Sequence, residues 1–264
     1  MVINGSEITG DMPPGYSNAI FIKDANKLIT DDSIDAYREA SKQDVFIFWN
    51  HPYWANQSPD ASVPLSQIHK ILIAEGLIEG IEIVNDTTFS NEALQLALDF
   101  NLIILGTSDI HGIVNWQYRI SLGGHRPVTL VFARKKTKRS LKKALRAGQT
   151  VVWFKEKLIS KKEFLIPLIN SSLDVKSAKY FENTTVAHVT IFNSSDAPYT
   201  LRNQSKYDFY NLTDLVIVPA HGEVNIDVRT NKKTRKFELD IKVLSALTAA
   251  QTHPVINIII RVNQ

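Results

Sequence analysis

The sequence of 264 residues contains no cysteine. Disulfide frameworks and thiolate metal sites are therefore excluded, and any bound metal ion must be held by histidine and carboxylate side chains. The sequence also has no apolar run of the roughly 20 residues that a membrane-spanning helix needs. No signal peptide is recognisable at Met1–Glu7. The sequence therefore does not assign a compartment, and the cytoplasm is the default expectation.

Several motifs of nucleotide-dependent enzymes and hydrolases are also missing. The sequence has no Gly-x-x-x-x-Gly-Lys, no Gly-x-Gly-x-x-Gly and no Gly-x-Ser-x-Gly, so nothing favours a P-loop enzyme, a dinucleotide-binding enzyme or a serine hydrolase. The net charge of +3 is slight, and the lysine-rich stretches 134–139 and 232–235 are typical of solvated surface. Because no basic stripe with interleaved aromatic residues is present, nucleic-acid binding is not expected.

What the sequence does contain is an ordinary globular composition, with 44% hydrophobic and 22% charged residues. Residues 1–155 alternate short apolar runs with amphipathic segments. Strands are predicted at residues 1–4, 18–23, 45–49, 81–84, 102–105 and 128–133. Helices are predicted at residues 31–42, at residues 65–75, after a cap at Ser90, and at residues 140–147. This alternation is typical of βα units around a parallel sheet.

The pattern changes near residue 155, where helical periodicity gives way to period-two alternation. The alternating segments are residues 187–193, 215–218, 223–229, 237–243 and 254–262. Short alternating strands separated by turn residues predict a small antiparallel sheet or sandwich. The boundary is placed between about residues 155 and 175, after a lysine-rich link, which gives domains at 1–155 and 156–264. The predicted fold class is α/β followed by all-β.

Candidate functional residues follow the predicted strands of the first domain. Asp109 and His111 come directly after the apolar run 102–105 and lie one residue apart, so their side chains point to the same face of an extended backbone. Glu7 and His51 follow two other strands, and the carboxyl ends of strands meet at one face of a parallel barrel. Imidazoles and carboxylates together suit zinc, manganese or iron, which can activate water as a nucleophile. Further candidates flank the end of the fourth strand, at Glu82 and Asp86.

Each of these residues has a structural alternative. Asp109 is also compatible with a turn cap, and His111 with a satisfied loop histidine. Glu7 is compatible with a loop cap, and His51 with stacking beside the proline and tryptophan that follow it. Glu82 lies inside a predicted strand and is equally compatible with pairing to a basic neighbour.

The remaining histidines are assigned different roles. His69 is expected to be a surface or core residue rather than a metal ligand, because it lies on the flank of a predicted helix. His125 and Arg126 precede the sixth strand, and this basic pair suits either a phosphate oxyanion or a structural ion pair. No catalytic role is assigned to the histidines of the second domain: His188, His221 and His253.

As a set, four motifs in order resemble a known family. They are Gly5–Thr9, Asn50–Pro52, Gly80–Asn85 and Gly106–His111, and the likeness continues through Gly124–Pro127 and Val151–Phe154 into the β-rich part. These motifs resemble the later motifs of the PHP (polymerase and histidinol phosphatase) metallophosphoesterases. The branch they resemble most is the bacterial one similar to the Sphingobium haloalkyl-phosphate phosphodiesterase.

The resemblance implies a distorted (βα)7 barrel with two or three divalent metal ions that hydrolyses small phosphoesters with metal-activated water. Glu7 would be a bridging carboxylate, and His51, Asp109 and His111 would be further metal ligands. His125 and Arg126 would contact the substrate phosphate. The family includes exported enzymes, so export is implied by analogy only.

This sequence departs from the family pattern in its first motifs. The His-x-His strand and two further histidines of the family cannot be placed in it, and it offers six candidate barrel strands where seven are expected. We therefore expect an incomplete barrel that retains at best one metal site, impaired hydrolysis, and self-association through the open edge beside residues 1–4. The alternative is a catalytically degenerate member that acts as a binding or interaction module through its β domain.

Overall fold

The fold is described for residues 1–262 in a computed structural model. The chain divides after Lys155 into two units, residues 1–155 and 156–264. Each unit has its own set of buried apolar side chains. No helix among the described residues has the length and apolar character needed to cross a membrane.

Unit 1 alternates strands and helices along the chain. Its strands are β1 (Gly5–Ile8), β2 (Ser17–Ile20), β3 (Phe46–Trp49), β4 (Gly80–Asn85), β5 (Thr88–Phe89), β6 (Ile103–Thr107), β7 (Val128–Val131) and β8 (Thr150–Phe154). Its helices are α1 (Ser33–Ser41), α2 (Gln67–Ala74), α3 (Asn91–Asp99), α4 (Val114–Gln117) and α5 (Lys138–Arg146), with short 3₁₀ helices at Ala25–Leu28 and Ile120–Leu122. The predicted cap at Ser90 is confirmed, since its side chain accepts from the Ala93 N–H, and Asp32 caps α1 by accepting from the Ile34 N–H.

The main sheet of unit 1 has the order β1-β2-β3-β4-β5, with β6 paired to β4. Strands β3, β4 and β6 run parallel to one another, as predicted. The prediction of an all-parallel sheet is wrong for β1 and β2, because β1 pairs antiparallel with β2 and β2 antiparallel with β3. The link between β1 and β2, residues 9–16, is shorter than the dozen or so residues that a parallel crossover needs.

The first strand also lies later in the chain than predicted. It covers Gly5–Ile8 rather than residues 1–4, so Glu7 lies within the strand and pairs with Asn18 of β2. The sequence predicts a strand at residues 1–4 because three of these residues are hydrophobic. In the structure Met1 and Val2 are instead largely exposed.

The core of unit 1 forms between the sheet and its helices. One buried cluster joins aromatic and aliphatic side chains of β3, β6 and α5, together with Phe21 after β2. The third strand, β3, has all four residues buried. This burial on both faces is typical of a central strand covered on both sides, and β3 ends where the polar residues Asn50 and His51 begin.

Unit 2 is mainly antiparallel. Its elements are β9 (Lys157–Ile159), α6 (Lys162–Ser172), β10 (Leu173–Tyr180), β11 (Val186–Asn193), β12 (Tyr199–Asn203), β13 (Asp208–Phe209), β14 (Leu215–Val218), β15 (Glu223–Arg229), β16 (Lys236–Val243), β17 (Ala246–Leu247) and β18 (Val255–Arg261). Two four-stranded antiparallel sheets have the orders β10-β11-β15-β13 and β14-β12-β16-β18. The predicted antiparallel architecture is confirmed.

The helix α6 is a correction. Its residues were expected to form a lysine-rich link followed by strands, but Lys162–Ser172 is helical and contains Pro167. Leu165, Ile169 and Ser172 are buried at helical spacing on one face. Burial of this face compensates for the backbone hydrogen bond that the proline removes.

Candidate functional site

The site is built at the carboxyl ends of the parallel strands β3, β4 and β6. Asn50 and His51 follow β3, and Asp109 follows β6. Glu7 reaches this edge from β1, where its Oε2 accepts a hydrogen bond from Asn50 Nδ2 at 2.8 Å. Its Oε1 accepts from the Thr9 hydroxyl at 2.8 Å. The Glu7 carboxylate is therefore held in place by two uncharged donors.

His51 is the most enclosed of the four candidate metal ligands, with 6% of its surface exposed. Its ring makes edge contacts with Tyr16 and Trp54, at centroid distances of 5.4 and 5.1 Å. Its Nδ1 is buried and has no hydrogen-bond partner within the described part of the chain. Burial lowers the pKa of His51, while the negative charges of Asp109 and Glu7 oppose that shift. The result is an imidazole biased toward its neutral form, with one nitrogen free to bind a further group.

Asp109 and His111 form a local turn beside His51. His111 Nδ1 lies 2.8 Å from the Asp109 carbonyl oxygen and 4.0 Å from its Oδ1. The His111 side chain is 87% exposed. Asp109 has a φ of 44°, a conformation that Asp adopts more readily than most residues. Both side chains act electrostatically on the pKa of His51, so they face the same region as Glu7.

Glu82 lies beneath these residues and is fully buried. Its Oε2 accepts from the His51 backbone N–H at 2.9 Å and from Asn85 Nδ2 at 3.0 Å, and its Oε1 accepts from the Thr107 hydroxyl at 2.7 Å. Burial raises the pKa of Glu82 to about 7, in spite of these three donors. The sequence offered Glu82 either as a candidate binding residue near the end of the fourth strand or as the partner of a basic residue. The structure instead gives it three uncharged partners.

The segment after His111 is fixed to the ends of β4 and β6. Gln117 Nε2 donates to Asp86 Oδ1 at 2.9 Å. The Tyr118 hydroxyl lies 2.8 Å from the same Oδ1 and 2.7 Å from the Ser108 carbonyl oxygen. Burial and the neighbouring Asp86 carboxylate raise the pKa of Tyr118, which keeps its hydroxyl protonated as a donor. Asp86 therefore anchors a loop.

His125 and Arg126 lie on the segment before β7. Both ring nitrogens of His125 face backbone carbonyl oxygens, with Nδ1 2.9 Å from that of Arg126 and Nε2 2.9 Å from that of Lys155. The His125 ring lies against Trp153 at a centroid distance of 4.1 Å. The positive charge of Arg126 acts on the Tyr118 hydroxyl, which places Arg126 near the fixed loop.

A divalent metal ion fits these residues in the chemistry of the donors. Glu7 and Asp109 offer carboxylates, and His51 and His111 offer imidazoles, the ligand types that zinc, manganese and iron accept. The buried, unpartnered Nδ1 of His51 is the clearest available donor. However, no group of three His, Asp or Glu side chains within residues 1–262 is arranged to hold an ion.

Several contributors to the site were not identified from the sequence. Asn50, Asn85 and Thr107 hold the carboxylates of Glu7 and Glu82, and each is uncharged. The one available signal was position, since all three lie at strand ends within the motifs noted above. His69 is a buried core residue, one of the two roles expected for it, and its ring stacks on Trp49 at 3.9 Å.

Comparison with known proteins gives two findings. Residues 173–259 match the family model DUF5001, described as an Ig-like domain. Among solved structures, the chain is similar to a two-domain protein of Bacteroides vulgatus ATCC 8482 that contains a predicted PHP-like metal-dependent phosphoesterase. The two chains are 31% identical with a TM-score of 0.90, and the match covers 98% of this chain and 75% of that one. No curated protein matches.

Proposed function

This chain belongs to the family of two-domain proteins with a PHP-like metal-dependent phosphoesterase, and from that premise we propose that unit 1 is a phosphoester hydrolase. The observation that carries the proposal beyond family membership is His51, whose buried Nδ1 has no partner within the described residues and faces the charges of Glu7 and Asp109. A desolvated imidazole nitrogen beside carboxylates is favourable for cation binding and is costly if left unsatisfied.

We assign Glu7, His51, Asp109 and His111 as the residues that would hold a divalent ion. Zinc, manganese and iron all suit this donor set, which has enough ligands for one ion. Such an ion, when bound, draws charge from the phosphoryl group and makes water a stronger nucleophile. The chain itself fixes the Glu7 carboxylate through Asn50 and orients the His51 ring through its aromatic neighbours.

His125 and Arg126 are proposed to contact the substrate, a small phosphoester. Arg126 supplies the positive charge, and a guanidinium can donate two parallel hydrogen bonds to phosphate oxygens. His125 must first give up one of its two backbone partners, so we expect its contribution to be smaller than that of Arg126.

We further propose that the 264-residue polypeptide hydrolyses phosphodiesters slowly. It contains no His-x-His motif, and the family pattern uses that motif to complete the metal cluster. A single ion stabilises fewer of the developing charges than a coupled pair does. Each 1.36 kcal/mol of lost transition-state stabilisation is about tenfold in rate, so a loss of several kcal/mol leaves on the order of a thousandth of the activity or less.

The first test measures metal binding and hydrolysis separately. Calorimetry with Mn²⁺ or Zn²⁺ should show weak binding by the wild-type chain. Hydrolysis of bis(p-nitrophenyl) phosphate should be barely above background. His51→Ala and Asp109→Asn should abolish the binding, whereas His221→Ala, the same change at an exposed histidine of unit 2, should leave it unchanged. Turnover at ordinary enzyme rates, or unchanged metal binding after both site substitutions, would contradict the proposal.

A second candidate function is a degenerate phosphoesterase that binds through its β domain. It is favoured by the absence, within residues 1–262, of a group of three ligands placed to hold an ion. The same experiment separates the two, because this candidate predicts no specific metal binding by the wild-type chain.

Three finer predictions belong to this proposal. The first is that unit 1 corresponds to part of a distorted (βα)7 barrel. The second is that its nearest relatives are in the branch similar to the Sphingobium haloalkyl-phosphate phosphodiesterase. The third is that the chain associates with itself through the exposed edge beside residues 1–4.

A further inference from the structure

Glu82 joins the ends of the three parallel strands that carry the candidate site. It belongs to β4, and it accepts hydrogen bonds from His51 after β3, from Asn85 at the end of β4 and from Thr107 at the end of β6. The three donors occupy both carboxyl oxygens, and the residue has no exposed surface. Glu82 therefore has neither a free oxygen nor access for substrate.

The hydrogen bond that the His51 N–H donates to Glu82 stabilises an unfavourable backbone conformation at His51. His51 has a φ of 26°, in the region that L residues other than Asn, Asp and Gly rarely adopt. Such a conformation persists only where surrounding contacts enforce it. The His51 N–H is held by Glu82, and its carbonyl oxygen accepts from the Trp54 N–H at 2.9 Å. These two hydrogen bonds fix the peptide groups on both sides of the imidazole.

We propose that Glu82 is a positioning residue, which sets the place of the His51 imidazole by accepting the His51 backbone hydrogen bond, and that it does so by geometry rather than by charge. The inference rests on the proposed function only for the measurement of metal affinity. The position of His51 itself is a property of the protein without metal.

The chemistry of the three donors makes geometry and charge separable. A glutamine at position 82 can direct its carbonyl oxygen to His51 and Asn85. Its NH₂ group can then donate to Thr107, whose hydroxyl has lone pairs to accept. All three contacts survive in Glu82→Gln although the charge is lost. Glu82→Asp has the opposite effect, because it keeps the charge but withdraws the carboxyl group by one methylene from the His51 N–H.

The test compares these two variants with the wild-type chain. The first readout is hydrogen exchange of the His51 amide, followed by NMR, and it does not depend on metal. We expect exchange to remain slow in Glu82→Gln and to become faster in Glu82→Asp. The second readout is Mn²⁺ affinity by calorimetry. It should stay within about threefold in Glu82→Gln and fall by roughly 10–100-fold in Glu82→Asp, the usual effect of removing a group that orients a metal ligand.

Thr107→Val is the matched control. It removes the donor on Oε1 and leaves the Oε2 contact to His51 intact, so the His51 amide should stay protected. Faster exchange in Glu82→Gln, or slow exchange in Glu82→Asp, would overturn the proposal. Absence of Mn²⁺ binding by the wild-type chain would count against the proposed function alone, since the exchange measurement would still decide the role of Glu82.

Discussion

His69 is held in one protonation state by its neighbours. Its Nε2 lies 2.9 Å from the Pro14 carbonyl oxygen, and its Nδ1 lies 3.1 Å from the Ser66 backbone nitrogen. A carbonyl needs a donor and an N–H needs an acceptor, so the ring is neutral with its proton on Nε2. Burial lowers the pKa of His69 below the value of about 6.5 that it has in an unfolded chain.

This shift predicts how stability depends on pH. The unfolded chain binds the His69 proton more readily than the folded one, so the contribution of His69 is complete above about pH 6.5. It is lost as pH falls from there toward the folded-state pKa. We expect the melting temperature to drop between pH 7.5 and 5.5, and to drop less steeply in His69→Gln. The other histidines are present in the wild-type protein and in His69→Gln alike. Equal slopes of melting temperature against pH would therefore contradict this assignment.

Ser17 and Tyr37 form a second buried polar pair. The Tyr37 hydroxyl donates to Ser17 Oγ at 2.8 Å, and both residues have no exposed surface. Burial raises the pKa of Tyr37 to about 12, so the hydroxyl stays protonated. Ser17→Ala and Tyr37→Phe each leave one polar group unsatisfied, which should cost about 1–3 kcal/mol of unfolding free energy in denaturant titrations.

The double variant is the decisive measurement for this pair. Because it leaves neither partner unpaired, its loss should be smaller than the sum of the two single losses. Ser41→Ala, at the exposed end of α1, is the control and should change stability by less than about 0.5 kcal/mol. Simple additivity of the single losses would show that the two hydroxyls are not coupled.

At the scale of elements, Arg146 fastens the end of α5 to the amino ends of β3 and β4. Its guanidinium donates to Glu79 Oε2 at 2.8 Å, to Asp44 Oδ1 at 2.6 Å and to the Val45 carbonyl oxygen at 2.6 Å. Arg146 and Lys142 hold the pKa of Asp44 below its usual value. Because the group is partly exposed, we expect Arg146→Ala to cost only about 1 kcal/mol.

The control for Arg146 is Lys143→Ala on the same helix. Its side chain is exposed and has no ion-pair partner among the described residues. Thermal melts should show little change for Lys143→Ala and a lower melting temperature for Arg146→Ala. If Lys143→Ala lost as much stability as Arg146→Ala, the positive charge of the helix, rather than the contacts of Arg146, would account for the stabilisation.

Helices and strands were predictable where the hydrophobic pattern of the sequence matched the burial of the side chains. The strand at 45–49 was found because an unbroken apolar run is typical of a strand buried on both faces. The helix α6 was not predicted because Pro167 lies inside it and two lysines, Lys161 and Lys162, stand at its start within the lysine-rich link. Strand direction was missed for β1 and β2 because periodicity carries no information about direction. The short link between them did carry it.

At the scale of the whole chain, the site was predictable only where its residues are close in sequence. Asp109 and His111 lie together because they are neighbours in sequence. The link from Glu82 to His51 and Thr107 joins residues 31 and 25 positions apart. No local pattern shows such a contact, so the sequence offered Glu82 as a candidate binding residue or an ion-pair partner and not as the hydrogen-bond acceptor of the His51 N–H. The resemblance to a family supplied the expected ligands, but it did not supply the hydrogen bonds that hold them.

Self-association is the prediction that concerns the whole molecule. The strand β1 pairs only with β2 among the described residues, and Met1 and Val2 beside it are 60% and 80% exposed. A cavity of about 930 Å³ next to this edge is lined by Ile3, Phe21 and Ile22. An exposed strand edge with apolar neighbours is a template for pairing with another chain. Sedimentation velocity should therefore show concentration-dependent dimers.

The charges around the same cavity give this association a salt dependence. Its lining is mainly basic, with one carboxylate, Asp44, beside six cations: Lys23, Lys138, Arg139, Lys142, Lys143 and Arg146. Two copies that meet at this edge bring like charges together, so screening by salt should strengthen the dimer. Val2→Lys should weaken the dimer. Ile217→Lys is the control, at the exposed edge strand β14 of unit 2, where Ile217 is 61% exposed. Dissociation by Ile217→Lys and not by Val2→Lys would assign the contact to β14 and contradict the prediction.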